Sequence, residues 1–142
     1  MALFGNRAVL LIPLLAGCSN IPSDPYETTR EVLREGSFAA GIVSGSDGDE
    51  AAAVVERIER ASGARAVVTH DTASALVDQL QQRQINVMIG AFAHDSPLKA
   101  TVFFSAPVGN ISVESDRPTM RAALPHGENR WIMLVEEAVR AK

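Results

Sequence analysis

Short apolar runs alternate with amphipathic helical patterns through the middle of the chain, and this order constrains the fold more than any other feature of the sequence. Turn residues bound the three runs, which cover residues 38–43, 65–69 and 85–90. Strands that alternate with helices in this way pair in parallel through right-handed crossovers, and the helices then cover both faces of the sheet. The sequence therefore predicts an α/β fold, a three-layer sandwich around a mainly parallel sheet.

Four helices and two further strands are predicted around these runs. The first helix covers Thr28–Glu35, and the second begins at Asp47 in a capping-box pattern. The third begins near Asp71 or Thr72, and the last runs from about residue 129 to residue 140. The additional strands are expected at residues 101–104 and 120–124.

A ligand of such a sheet binds beyond the carboxyl ends of the parallel strands. Three predicted loops meet there, over residues 43–48, 69–72 and 90–97. The first loop precedes a helix N-terminus, where backbone N–H groups attract an anionic group, although a simple capping turn accounts better for the same residues. The side chains that we select from these loops as candidate ligand-binding residues are Ser44, Ser46, Asp47, His70, Phe92 and His94.

Two His-Asp pairs fall at the same edge, His70-Asp71 and His94-Asp95, and imidazole with carboxylate is a combination that binds zinc. The first strand is expected to lie between the other two, which separates the pairs by roughly 10 Å. We therefore predict no metal site and no cofactor. The sequence also lacks a nucleophile elbow and a histidine beside an activated serine, so no catalytic residues are predicted and the chain is not expected to be an enzyme.

The N-terminus has the composition of an export signal. One basic side chain precedes an apolar segment at residues 8–16, which is too short to span a bilayer because a spanning helix needs about 20 residues. Residues 15–18, Leu-Ala-Gly-Cys, resemble the lipobox of bacterial lipoproteins, which implies cleavage before Cys18 and a lipid on its thiol. The alternative is an ordinary signal peptide with an incidental cysteine.

The residues around the predicted cleavage site also indicate a location. Cys18 is the sole cysteine, so no intrachain disulfide can form. Ser19 rather than aspartate follows it, and in Gram-negative lipoproteins this implies release to the outer membrane. We expect the protein on the periplasmic side of the envelope, anchored by lipid, in the outer membrane rather than the inner one.

Four segments of the remaining chain resemble the extracellular solute-binding proteins of bacterial ABC transporters, of the polar amino-acid type. They occur in the same order as in that family, at residues 28–43, 80–90, 103–107 and 124–131. The resemblance implies one lobe of a type 2 periplasmic binding protein over residues 27–142, after a signal peptide over residues 1–17 and a tether over residues 18–26. It also implies a small polar solute, with Ser96 and Lys99 as positional candidates for its site.

The chain departs from that family in two respects. Members have two lobes that close on a solute, whereas residues 110–120 here join the two matching blocks directly. Ala91 and Ala93 stand where small hydroxyl residues are usual, and the family's solute-binding arginine is missing after the third strand, where Lys99 is the nearest cation. A single lobe offers half of a cleft, which a second copy or a partner protein would complete.

These features lead to functional hypotheses of different kinds. The first is a membrane-anchored periplasmic lipoprotein with a solute-binding-like lobe, an accessory or binding component of a transport system. The second is a non-catalytic structural or regulatory envelope lipoprotein that docks onto a membrane protein. A third is a remnant of the solute-binding-like domain that precedes some lytic transglycosylases. A net charge of −4 with scattered basic residues gives no cationic surface for nucleic acid.

Replacing the predicted lipid-bearing cysteine tests the lipobox. We expect Cys18→Ser to abolish lipid attachment and cleavage by the lipoprotein-specific peptidase, because a hydroxyl group cannot form the diacylglyceryl thioether. Mass spectrometry of the purified protein and fractionation of the membranes measure the two effects. Unchanged processing together with unchanged membrane partition would refute the lipobox assignment.

Overall fold

The computed structural model describes residues 23–109 and 117–141. The predicted signal peptide, Cys18 and residues 110–116 lie outside the described residues, so the lipid anchor stays a prediction. In the described part of the chain, no helix is both long enough and apolar enough to cross a membrane.

Every helix and strand predicted from the sequence is present. In chain order the elements are α1 (Thr28–Glu35), β1 (Ser37–Val43), α2 (Gly48–Ser62), β2 (Arg65–Asp71), α3 (Ala73–Gln81), β3 (Val87–Phe92), β4 (Val102–Phe104), β5 (Thr119–Pro125) and α4 (Asn129–Arg140). A 3₁₀ turn over Pro97–Ala100, which the sequence pattern does not predict, leads into β4.

β2 and β3 both extend farther along the chain than predicted. β2 continues to Asp71 because it stays in register with β1 up to Val43. β3 begins at Val87 rather than at residue 85. Asn86, just before it, forms two hydrogen bonds with Ala39 of β1: its N–H donates to the Ala39 carbonyl and its Oδ1 accepts from the Ala39 N–H, both at 2.8 Å. The loops that follow both strands are accordingly shorter than predicted.

The strands form one mixed sheet in the order β2-β1-β3-β5-β4. β1 pairs in parallel with β2 on one side and with β3 on the other. β5 pairs antiparallel with both β3 and β4. The predicted place of the first strand, between the second and the third, is confirmed. The strands are also mainly parallel in direction, as predicted, because β5 alone among the described strands runs against the others.

Helices cover both faces of the sheet, as predicted for a three-layer sandwich. α1, α2 and α4 pack on one face around a core that contains Trp131, whose ring meets the Phe38 ring edge-on with 5.8 Å between centroids. α3 packs on the other face, where Leu76 and Leu80 are fully buried. We refer to these as the α2 face and the α3 face of the sheet.

Two glycines allow close packing on the α3 face. A Cβ atom at Gly41 would lie 2.5 Å from Leu76 Cδ2, and one at Gly90 would lie 2.7 Å from Val43 Cγ2 and 2.9 Å from Val43 Cβ. The contact at Gly90 leaves less room for adjustment than the one at Gly41, because Val43 Cβ is attached directly to the backbone of β1 and cannot rotate away. The missing side chain of Gly90 therefore allows Val43 to lie close to β3 at the carboxyl ends of these strands.

Two carboxylates join the start of the lobe to its last helix. Asp24 accepts hydrogen bonds from the backbone N–H of Arg130, at the start of α4, at 2.6 Å and from that of Thr29, in α1, at 3.0 Å. Glu128, which is buried, accepts from the N–H of Thr28 at 3.1 Å. The two side chains thus satisfy N–H groups in the first turns of α1 and α4 that have no partner inside their own helix.

Asp24 should be important for stability because it caps two helices at once. We expect Asp24→Ala to lower the free energy of unfolding by roughly 1–4 kcal/mol, since one helix cap contributes about 0.5–2 kcal/mol. Urea denaturation followed by circular dichroism measures the change. Asp78→Ala removes an exposed carboxylate from α3 and is the matched control, with an expected effect below about 0.5 kcal/mol. Equal effects for the two variants would contradict the capping role.

Adding a methyl group at Gly90 should overfill the space between β3 and Val43. We expect Gly90→Ala to lower the free energy of unfolding by about 1–3 kcal/mol, the usual cost of overpacking a close-packed core. Gly48→Ala is the control, because a Cβ atom there meets nothing within 4 Å and alanine favours the helix that begins at this residue. If both variants unfold at the same urea concentration as the original chain, the close contact at Gly90 does not limit the stability of the fold.

Candidate functional site

The carboxyl ends of β1, β2 and β3 lie side by side at one edge of the sheet, and β5 begins at the same edge. The register places Val43 beside Asp71, and Phe92 beside Thr119. We refer to this region as the carboxyl edge: the loops that follow these three strands, together with the first residues of β5. The three segments selected from the sequence therefore meet at one edge.

The loop after β1 ties β1 to both of its neighbours. Ser46 Oγ accepts a hydrogen bond from the Ala91 N–H at 3.4 Å, and the Ser44 N–H donates to the last carbonyl of β2 at 2.9 Å. Asp47 caps α2 as predicted, because its Oδ1 accepts from the Glu50 N–H at 2.9 Å. Ser44 and Asp47 are exposed, and Ser46 is half-buried.

His70 and Asp71 are the last residues of β2, which corrects the prediction that they lie in a loop. Neighbouring residues of a strand point to opposite faces, so His70 faces the α2 side and Asp71 the α3 side. Asp71 accepts hydrogen bonds from the Thr72 N–H at 2.7 Å and from Gln79 Nε2 at 3.3 Å. Thr72 in turn caps α3, since its Oγ1 accepts from the Ala75 N–H at 3.3 Å.

The candidates near the end of β3 differ in their surroundings. Phe92 belongs to the strand itself and is buried, with its ring packed against Phe104 at 4.8 Å between centroids. His94 is exposed on the turn that follows. Ser96 caps the 3₁₀ turn by accepting a backbone hydrogen bond at 3.3 Å, and Lys99 is exposed at the end of that turn. The described residues bring no three potential metal ligands together.

Several grooves lie away from the carboxyl edge. Two of them, of roughly 760 and 480 Å³, flank the exposed Met133 of α4. Another, of roughly 540 Å³, lies near Tyr26 and Arg83, where the guanidinium is 4.1 Å from the centre of the tyrosine ring. None of these three grooves is lined by a candidate side chain.

A buried arginine lies beside the carboxyl edge, in a strand that contains none of the predicted site residues. Arg121 is 9% exposed and stands opposite Gly90 in the β3–β5 ladder. Its Nε donates to Thr119 Oγ1 and its Nη1 to the Ser105 carbonyl, both at 3.1 Å. The signal available in the sequence is a single charged residue inside a largely apolar strand.

No protein-family model matches the chain, and no curated protein matches it in sequence. Solved structures do match it. Two crystal structures of domain 1 from TmArgBP in its arginine-bound form, one of them a mutant, have TM-scores of 0.67 and 0.66 at 16% sequence identity. The matches cover 79% and 78% of this chain and 95% and 96% of the domain.

Longer proteins match over part of their length. A mutant of ArgBP from T. maritima has a TM-score of 0.50 at 20% identity, over 57% of this chain and 40% of its own. An ancestral cationic amino acid solute-binding protein has a TM-score of 0.50 at 16% identity, over 58% of this chain and 41% of its own. At such identities the likeness establishes the fold: the chain is a single α/β lobe with a five-strand mixed sheet, resembling domain 1 of the periplasmic binding protein ArgBP.

Proposed function

We propose that the chain is a lipid-anchored lipoprotein on the periplasmic side of the envelope, whose lobe binds a small polar solute at the carboxyl edge as an accessory or binding component of a transport system. One observation carries the solute-binding part of this proposal. Domain 1 from TmArgBP was crystallised in arginine-bound form, and the match with this lobe covers 96% of that domain's chain. A single lobe of this fold can therefore hold a solute without a second lobe.

The carboxyl edge has the polar groups that such a solute needs. The helices α2 and α3 both begin there, directly after β1 and β2, so the positive ends of two helix dipoles lie at the same edge. The exposed side chains of Ser44 and Asp47 add a hydroxyl group and a carboxylate. Because the parallel ladder fixes β1 against β2 and β3, these groups are held in place before a solute arrives.

Asp24, which belongs to the predicted tether, lies at the edge opposite to the carboxyl edge. Asp24 binds the start of α4, which follows the end of β5, and β5 runs antiparallel to β3. A lipid on Cys18 would therefore hold the lobe by the edge remote from the proposed site. The carboxyl edge then faces away from the bilayer, where a solute or a transport partner can reach it.

A solute that binds the folded lobe should raise its thermal stability. At a hundredfold excess of solute over Kd the expected stabilisation is about 2.7 kcal/mol, which corresponds to a rise in Tm of roughly 5–15 °C. We would measure the thermal shift of residues 19–142 with a panel of amino acids, organic acids and divalent metals. At least one member of the panel is expected to give this shift.

A matched pair of tryptophan variants locates the site. Ser44→Trp covers the carboxyl edge and should abolish the shift, whereas Ser23→Trp makes the same change at an exposed residue of the opposite edge and should leave it intact. A shift that survives Ser44→Trp and disappears in Ser23→Trp would show that a solute binds, but not at the carboxyl edge.

The docking alternative is supported by β2, the edge strand of the sheet. Val67 and Val68 are 60% and 41% exposed on its opposite faces. The Glu59 carboxylate accepts a hydrogen bond from the outward Ala66 N–H at 2.8 Å, whereas the outward backbone groups of Val68 and His70 have no partner among the described residues. An extended segment of an envelope protein could add there as a further strand. A flat thermal response, together with crosslinking of β2 to one membrane protein, would favour this function.

A further inference from the structure

Arg121 carries a positive charge that no side chain among the described residues neutralises. It is 9% exposed, and the ion pairs between described residues all involve other arginines. Burial of an unpaired charge is strongly unfavourable, so a buried arginine ordinarily has an anionic partner. The two oxygens that accept its hydrogen bonds, a hydroxyl and a carbonyl, are neutral.

The guanidinium of Arg121 is held in one orientation by two hydrogen bonds, and other N–H donors of the group remain available. Its Nε and Nη1 are anchored at Thr119 and Ser105, and Nη2 has no hydrogen-bond partner among the described residues. Ser105 is itself fixed to β5, because its Oγ accepts from the Ala122 N–H at 2.9 Å and its N–H donates to the Ala122 carbonyl at 2.8 Å. The remaining donors are therefore preorganised, which lowers the entropic cost of binding a partner.

The described carboxylates of the carboxyl edge form no ion pair with Arg121. Asp95, on the loop after β3, is exposed. Asp47 caps α2, and Asp71 accepts hydrogen bonds from Thr72 and Gln79. Gly90, directly opposite Arg121 on β3, has no side chain. The anionic partner of Arg121 therefore has to come from outside this set of residues.

We propose that Arg121 binds an oxyanion, the carboxylate or phosphate group of a small solute, on the α3 face of the carboxyl edge. This inference rests on the proposed function and names the chemical class of the solute. The planar guanidinium can donate two parallel hydrogen bonds to one carboxylate or phosphate group. Lys99, an exposed point charge on the neighbouring turn, cannot form this paired contact.

The Nε–H group of Arg121 can report binding directly. We would record ¹⁵N–¹H spectra of the protein as processed by its expression host while adding sodium acetate or sodium phosphate, with sodium chloride keeping the ionic strength constant. The Arg121 Nε–H signal should shift and saturate, with a Kd below about 10 mM for at least one of the two anions. The absence of a saturating shift with both anions, or an equal response to chloride, would overturn the proposal.

Two variants control this measurement. Arg121→Lys keeps the positive charge but removes the planar guanidinium and its paired donors. The affinity of this variant for the anion should fall at least tenfold, as measured through the backbone N–H signal of residue 121. Glu114→Gln combined with Asp116→Asn removes the carboxylates that precede β5 in the sequence and lie outside the described residues. If the anion binds only to this double variant, a carboxylate of the chain itself is the partner of Arg121, and the proposal is wrong.

The same data separate this inference from the function on which it rests. A neutral solute that raises Tm while the Arg121 signal does not respond to either anion would leave the solute-binding function intact and overturn the inference. A saturating shift with acetate or phosphate, while no solute of the panel raises Tm, would support an oxyanion site and count against capture of a solute as the function.

Discussion

The parallel pairing of β1 with both of its neighbours is the constraint on which the rest of the lobe depends. Two parallel neighbours require two crossovers, and these place α2 on one face of the sheet and α3 on the other. The same pairing brings the carboxyl ends of three strands to one edge, where both crossover helices begin. A site assembled there is built from several loops, yet every loop is anchored by the ladder beneath it. Gly90 tightens this arrangement, since its missing side chain lets Val43 approach β3.

The opposite edge joins residues 24–29 to the start of α4 through hydrogen bonds to two carboxylates. Asp24 and Glu128 satisfy N–H groups of α1 and α4 that would otherwise be left without partners. Asp24 lies in the predicted tether, residues 18–26, so the free part of any tether ends before it. The lobe thus has one edge that closes its own hydrogen bonds and another that presents polar groups outward. This division follows from the direction of the strands, because β5 must return against β3 before α4 can begin.

The sequence was informative wherever a local pattern decides the structure. The cap at Asp47 and the bounds of α1 both follow from residue patterns within one or two turns. The sequence was less informative where a residue far away along the chain determines the local structure. β2 is longer than its apolar run because the register with β1 continues through His70 and Asp71. Arg121 gave a weaker signal still, since only the antiparallel return of β5 places a residue so far along the chain beside the end of β3.

If the lobe binds a solute as proposed, its single-lobe form and its buried arginine together limit the kind of solute that fits. One lobe covers a solute on one side, so little of the binding energy can come from buried apolar surface. Charge-assisted hydrogen bonds from a preorganised guanidinium need less enclosure, which favours a small anionic solute over a neutral one. A covering surface would strengthen the same contact by excluding water, without changing its chemistry. With a lipid on Cys18, six residues before Asp24, the lobe can stand at most about 20 Å from its anchor, so that a covering partner must itself lie close to the membrane.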